Sequence, residues 1–203
     1  MIRLLGIFLL VLNCFDGMGK NPPGTLKVKG TSYYLDAIEM SNLEWYSYVI
    51  DMRSKYGKDS EQYRTSLPDS ATWCSTYSAD EFFKYGKYND YPVVGITYEQ
   101  ANQYCTWRSE LVSLKYGKSV VYTLPSKEVI EMACKQSTSS YKEGVYQLGK
   151  RNKIRGLYDN VYELTVENGM LLSSNTSGEC SFQPVNEVPP GLIGIRFMAR
   201  IEE

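Results

Sequence analysis

The sequence predicts a single α+β domain with two main helices, several short strands and long connections, and three observations carry that prediction. Ser41 and Thr97 each stand three residues before a partner that can close a capping box, Glu44 and Gln100, and each opens a stretch with apolar residues at helical spacing. Short runs rich in β-branched and aromatic residues recur between polar or glycine-containing turns. No repeat, low-complexity tract or charge block divides the 203 residues, a length that suits one domain with its own core.

In chain order, Leu26–Val28 and Tyr33–Leu35 flank Lys29, Gly30 and Thr31 and predict a β-hairpin. Behind Ser41, the residues Trp45, Tyr48, Val49 and Met52 share one face and predict a helix from Asn42 to Tyr56. Between Gly57 and Asn89 the periodicity is lost and turn-forming residues predominate, which predicts a long ordered connection. A connection of that length is either functional or conceals elements that the pattern misses. Pro92–Ile96 predicts a short strand, and the box at Thr97 starts a second helix with Ala101, Tyr104, Cys105, Arg108, Leu111 and Val112 along one side. Arg108 on that buried side needs a carboxylate or carbonyl partner, Cys105 reads as a core thiol, and Trp107 beside the stripe is placed to pack on the first helix. Val120–Leu124 predicts a strand, and Pro125 and Ser126 start a third, shorter helix with Val129, Ile130 and Ala133 inward. Val145–Leu148, Val161–Leu164 and Ile193–Ala199 complete the strand candidates.

Composition excludes several function classes. A formal charge of −1 and a pI near 5.7, with cations interspersed among acids, leave no net attraction to phosphate backbones, so nucleic acid is not an expected partner. The absence of histidine removes Ser-His-Asp and Cys-His machinery together with the commonest zinc and copper ligand. Most of the eighteen tyrosines are expected to be half-buried structural residues rather than a ligand platform.

Arg3 followed by the apolar run Leu4–Leu12 is too short to span a bilayer and has the form of a signal-peptide core. Cys14 ends that run where a bacterial lipoprotein signal places its acylated cysteine, although Asn13 stands where a small residue is usual; cleavage between Gly17 and Gly19 with Cys14 discarded is the alternative. Residues 1–19 are therefore assigned to the leader and residues 20–30 to a spacer and first strand, with Lys20–Thr25 as a flexible or extended tether. Cys74, Cys105, Cys134 and Cys180 remain, without C-x-x-C spacing, and small buried thiols are expected in preference to a disulfide. Asn175–Ser177 fits a glycosylation acceptor pattern but reads here as a polar loop.

Five separated stretches, in order, resemble the formylglycine-generating enzyme or sulfatase-modifying-factor domain family: Glu39–Asn42 before a helix; Tyr91–Ala101 with Tyr104, Cys105, Trp107 and Arg108; Tyr122–Ser126; Gly156–Asp159 running into Asn160–Glu163; and Gly194–Phe197. The resemblance implies a compact C-type-lectin-like fold over residues 31–203. It also implies that catalytic members oxidise a substrate cysteine with copper held by two cysteines between the Asn-Val-x-Glu stretch and the final Gly-x-Arg. Here that interval, Thr165–Ile193, holds Cys180 alone, so copper and catalysis are not expected unless Cys74 or Cys134 reaches Cys180 in the fold. The family's calcium site maps onto Asn160 and Glu163, in a loop shortened by the direct junction of Asp159 and Asn160. Leu67–Trp73, Asn89–Gly95 and Cys105–Ser109 look like the gliding-motility and type IX secretion lipoproteins, a non-catalytic branch. That likeness implies an envelope-tethered binding or assembly module with ring-forming protein partners, on the periplasmic face of the outer membrane if lipidated and otherwise periplasmic or secreted. The membrane is met only through the lipid anchor. An oxidoreductase acting on a cysteine, or a carbohydrate-binding module, is the alternative.

Overall fold

The computed structural model describes residues 21–81, 86–137, 145–157, 159–174 and 180–202. The leader with Cys14, and Phe82, Phe83, Tyr158 and Asn175–Ser177, lie outside the described residues.

Two four-stranded sheets and five α-helices form a mixed α+β body among the described residues. The first sheet combines β1 (Thr25–Lys27), β2 (Tyr34–Asp36), β8 (Met198–Ile201) and β3 (Val120–Thr123), all antiparallel, with Leu26 opposite Leu35 and Tyr122 opposite Ala199. The second contains β6 (Cys180–Pro184), β5 (Met170–Ser174), β4 (Tyr162–Leu164) and the two-residue β7 (Ile193–Gly194), with β7 parallel to β4. The predicted run Ile193–Ala199 is broken at Ile195–Phe197, and that break carries the chain from one sheet to the other.

Helices α1 (Asn42–Tyr56) and α4 (Tyr98–Tyr116) are the two long ones, and both predicted capping boxes are formed. Their buried faces meet through aromatic rings. Tyr104 stacks between Trp45 and Phe197, with centroids 5.2 and 5.1 Å apart, and Trp107 on α4 donates to Asp51 on α1 at 2.8 Å. The indole N–H groups of Trp45 and Trp73 donate to Ser66 O and Asn42 Oδ1, so no tryptophan is buried at the expense of its donor. Tyrosines Tyr48, Tyr77, Tyr104 and Tyr122 are buried and most of the others are half-buried, as expected of structural tyrosines.

The connection after Gly57 hides two short helices, α2 (Glu61–Ser66) and α3 (Ser70–Tyr77), started by Ser60 and Asp69. With 6 and 8 residues each is too brief to show apolar periodicity, so only its cap marks it. Pro92–Ile96 is extended but not a strand: Pro92 has no N–H to donate, and Gly95 turns the chain at φ +74° against the backbone of Asp69. Its backbone bonds are scattered over two partners: a bridge of Pro92 with Ser41 and the bond from Val93 N to Met40 O on one side, and Gly95 O accepting from Asp69 N at 2.8 Å on the other. Val145–Leu148 is likewise irregular, with amides bonded to Asn160 Oδ1 and Asp90 O rather than to a ladder. The hairpin β5–β6 has no counterpart among the predicted strands, because β6 is half-buried from Cys180 to Gln183 without alternation and Ser173 and Ser174 end the apolar run of β5.

The tether also departs from expectation. Pro22 is buried, Thr25 donates to Pro22 O from both its amide and its hydroxyl, and Pro23 O accepts from Arg108 and Tyr122. Pro22 to Thr25 are therefore held in the body and do not form a free spacer.

Cys134, the last residue of α5 (Lys127–Cys134), forms a disulfide with Cys180 at the start of β6, which corrects the expectation of free thiols for that pair. The bond lies in a second apolar cluster with Val28, Ile130, Ile154, Leu157 and Phe182. Cys74 and Cys105 are free. A crosslink closing a 46-residue separation is expected to stabilise the fold by about 2–4 kcal/mol, so reductant or the Cys134→Ser, Cys180→Ser double change should lower the denaturant midpoint accordingly. An unchanged midpoint would show that the bond contributes nothing.

Candidate functional site

The charged residues that are buried, among the described residues, are Asp36, Glu39, Arg108, Glu163 and Arg196, and they meet at the seam between the sheets. Each is supplied by a different element: Asp36 ends β2, Glu39 precedes α1, Arg108 lies on α4, Glu163 is on β4 and Arg196 is in the break between β7 and β8. Arg196 is fully buried. Its Nε contacts both Glu163 oxygens at 3.0 Å, Nη1 donates to Asp36 O at 2.9 Å, and Nη2 donates to Glu163 Oε1 at 2.8 Å and Arg155 O at 2.6 Å. Arg108 makes the parallel arrangement with Asp36, both Nη atoms lying 2.8 Å from a carboxylate oxygen, and its guanidinium lies 4.1 Å from the Tyr122 ring centroid. The carboxylate partner expected for Arg108 is thus Asp36.

Glu39 is the unequal member. Its Oε2 approaches Arg196 Nη2 only to 3.5 Å, and its Oε1 is buried without a hydrogen-bond partner. Gly156, at φ +75°, packs directly on this carboxyl, where any Cβ would collide with it. Three acids and two guanidiniums balance only if one proton is retained. Burial pushes the Glu39 carboxyl up to about 8, with Arg196 opposing and Glu163 reinforcing the rise. Burial raises Glu163 too, against the same guanidinium, but Glu163 has the two-oxygen contact, so the proton rests on Glu39.

The site residues expected from the sequence fall near this seam. Glu163 is 0 % exposed with both oxygens on Arg196, so its carboxylate is already engaged by a guanidinium. Asn160, at φ +70°, accepts from Tyr146 N at 2.7 Å through Oδ1. The pair ties the start of β4 to its neighbours and does not fit the several-oxygen cage that calcium requires. Glu39 and Arg196 stand out in the sequence only as parts of motifs. Their spacing of more than 150 residues hides their contact, and the signal available was an arginine and a glutamate, each inside an apolar run.

Copper fits the cysteines no better. Cys134 does reach Cys180, the condition the sequence set for a cysteine pair, but a linear site needs two thiolates and these sulfurs are bonded to each other among apolar side chains. Cys105 is buried and its thiol is pushed up to about 12 by desolvation, so it is a core residue and not a nucleophile.

Two consequences can be measured. Unfolded, Glu39 ionises near its ordinary value of 4.5; folded, it keeps its proton to about 8. Between those values the native state binds the extra proton, so its stability falls as pH rises through this window. Denaturation of the Glu39→Gln variant should lack that share of the slope; wild-type and variant slopes that coincide would place the proton elsewhere. Arg196→Met leaves buried carboxylates unpaired and should cost about 3–5 kcal/mol, against a small change for an exposed control such as Arg200→Met.

The seam joins the Glu39–Asn42, Asn160–Glu163 and Gly194–Phe197 stretches that the resemblance rests on. No curated protein is significantly similar to the chain. The profile of the sulfatase-modifying factor enzyme 1-like domain matches residues 8–199, and with that coverage, and a buried seam built from its motif residues, the chain belongs to that family.

Proposed function

We propose that this protein is a non-catalytic, envelope-tethered binding or assembly module, used in the manner of the gliding-motility and type IX secretion lipoproteins. The observation that supports it best is the disulfide between Cys134 and Cys180, which commits to a covalent bond the one cysteine of the interval where catalytic relatives hold copper. The buried charge cluster supports it as well: its members are no more than 4 % exposed, so they can hold a scaffold together but cannot meet a substrate. Export agrees with a disulfide, since such bonds persist in oxidising compartments. The reading places the domain on a lipid at Cys14, at the periplasmic face of the outer membrane, with one or more protein partners in a ring.

A second reading has one observation in its favour. Cys134 does reach Cys180, so reduction would put two thiols side by side, as an oxidoreductase of the copper type would need. The apolar surroundings disfavour the thiolates such a site requires.

Tagged protein recovered from its own envelope is expected to bring down a stoichiometric envelope partner and to be silent in a peptide-oxidation assay. Conversion of a cysteine-containing sulfatase peptide to its aldehyde by the reduced protein with copper(I) and oxygen would overturn the proposal.

A further inference from the structure

The loop that follows Gly149 gathers charge that the rest of the chain disperses. Lys150, Arg151, Lys153 and Arg155 are all exposed, on a chain whose net charge is −1. The loop is held rigidly from beneath. Ile154 is buried in the second apolar cluster, Arg155 N donates to Ala37 O at 2.8 Å, and Arg155 O accepts from the buried Arg196. Arg151 meets a carboxylate, Glu44 at 2.5 Å, while among the described residues Lys150, Lys153 and Arg155 make no ion pair and Arg155 reaches only the amide of Asn152 at 3.4 Å.

Position gives this surface its meaning. Arg151 Nη1 lies 3.1 Å from where a Cβ on Gly24 would sit, so the basic loop adjoins the point at which the N-terminal segment enters the body. Gly24 follows Cys14 by ten residues, and at no more than about 3.6 Å per residue an acyl group on Cys14 keeps Gly24, beside which the loop lies, within about 36 Å of the anchored residue. Cations held near an anionic lipid surface strengthen binding by about fivefold each. A nucleic-acid groove would instead interleave aromatic rings for stacking; the loop has none, and its one apolar residue, Ile154, is turned inward.

We propose that residues 150–155 form a membrane-contact surface for anionic phospholipid headgroups, which seats the tethered domain with its N-terminal edge on the bilayer. The proposal rests on the tethered reading for its biological setting, yet its binding chemistry does not require the acyl group.

Residues 21–203 contain both sheets, every described helix and the disulfide, so this body is the fragment to test. It should float with vesicles of phosphatidylcholine and phosphatidylglycerol at low salt, and not with phosphatidylcholine alone. Lys150→Glu, Lys153→Glu and Arg155→Glu together should weaken that binding on the order of a hundredfold without moving the thermal midpoint. Binding that is equal for variant and wild type, absent from both vesicles, or exceeded by binding to single-stranded oligonucleotide overturns the proposal. The mass of Cys14 in the full-length exported protein is a separate reading: an unacylated cysteine would defeat the tether while vesicle binding by the body still upheld the surface.

Discussion

Arg196 is the constraint on which the two-sheet arrangement depends. The sheets share no ladder, and the chain crosses between them at Ile195–Phe197, where Arg196 reaches Glu163 in one sheet and the Asp36 backbone in the other. A guanidinium with no exposure is tolerable only if its donors are satisfied; here three of its bonds go to a carboxylate and two to carbonyls in fixed directions. Those directions set how far β4 stands from β2. Apolar residues could match the stability of such a cluster, but they would not specify one spacing, which is the reason to keep charge inside.

Asp36 extends the constraint to the helical layer. Its carboxylate takes both Nη atoms of Arg108 and the Phe197 amide, while its carbonyl takes Arg196, so one residue links β2, α4 and the β7–β8 break. Arg108 in turn holds Pro23 O, which fixes the path of the incoming chain, and Arg196 holds Arg155 O, which fixes the basic loop. Two surface features beside each other are therefore positioned by one buried network. The network itself is closed to solvent.

Local structure was legible in the sequence where one signal sufficed. The capping boxes at Ser41 and Thr97, the apolar faces of α1 and α4, and the turn at Gly30 each lie within a few residues of what they determine. The two short helices after Gly57 were not legible, since a stretch of 6 or 8 residues repeats too few times to reveal a period. Nor was the hairpin β5–β6, whose stability comes from one pair of leucines, Leu171 and Leu172, and from the cystine at its edge. Of the seam, Arg108 announced its need for a partner by standing on a buried helix face. The order of the motifs hints at the partnership of Glu39, Glu163 and Arg196 without specifying it, because contacts over 33 residues (Glu163 to Arg196) and over more than 150 (Glu39 to Arg196) leave no local trace.

The disulfide carries structure that the short elements around it cannot carry alone. Helix α5 has 8 residues, too few to persist by its own hydrogen bonds, and its inward residues Val129, Ile130 and Ala133 offer modest area. A crosslink from its last residue to β6 supplies by covalent geometry what a longer helix would supply by burial. The same sulfurs cannot be both a permanent fastening and a thiolate pair. Breaking the bond to free them would loosen α5 from the hairpin that completes the second apolar cluster, so any gain in reactivity is opposed by a loss of the structure that would present it. Cys134 and Cys180 thus serve the scaffold.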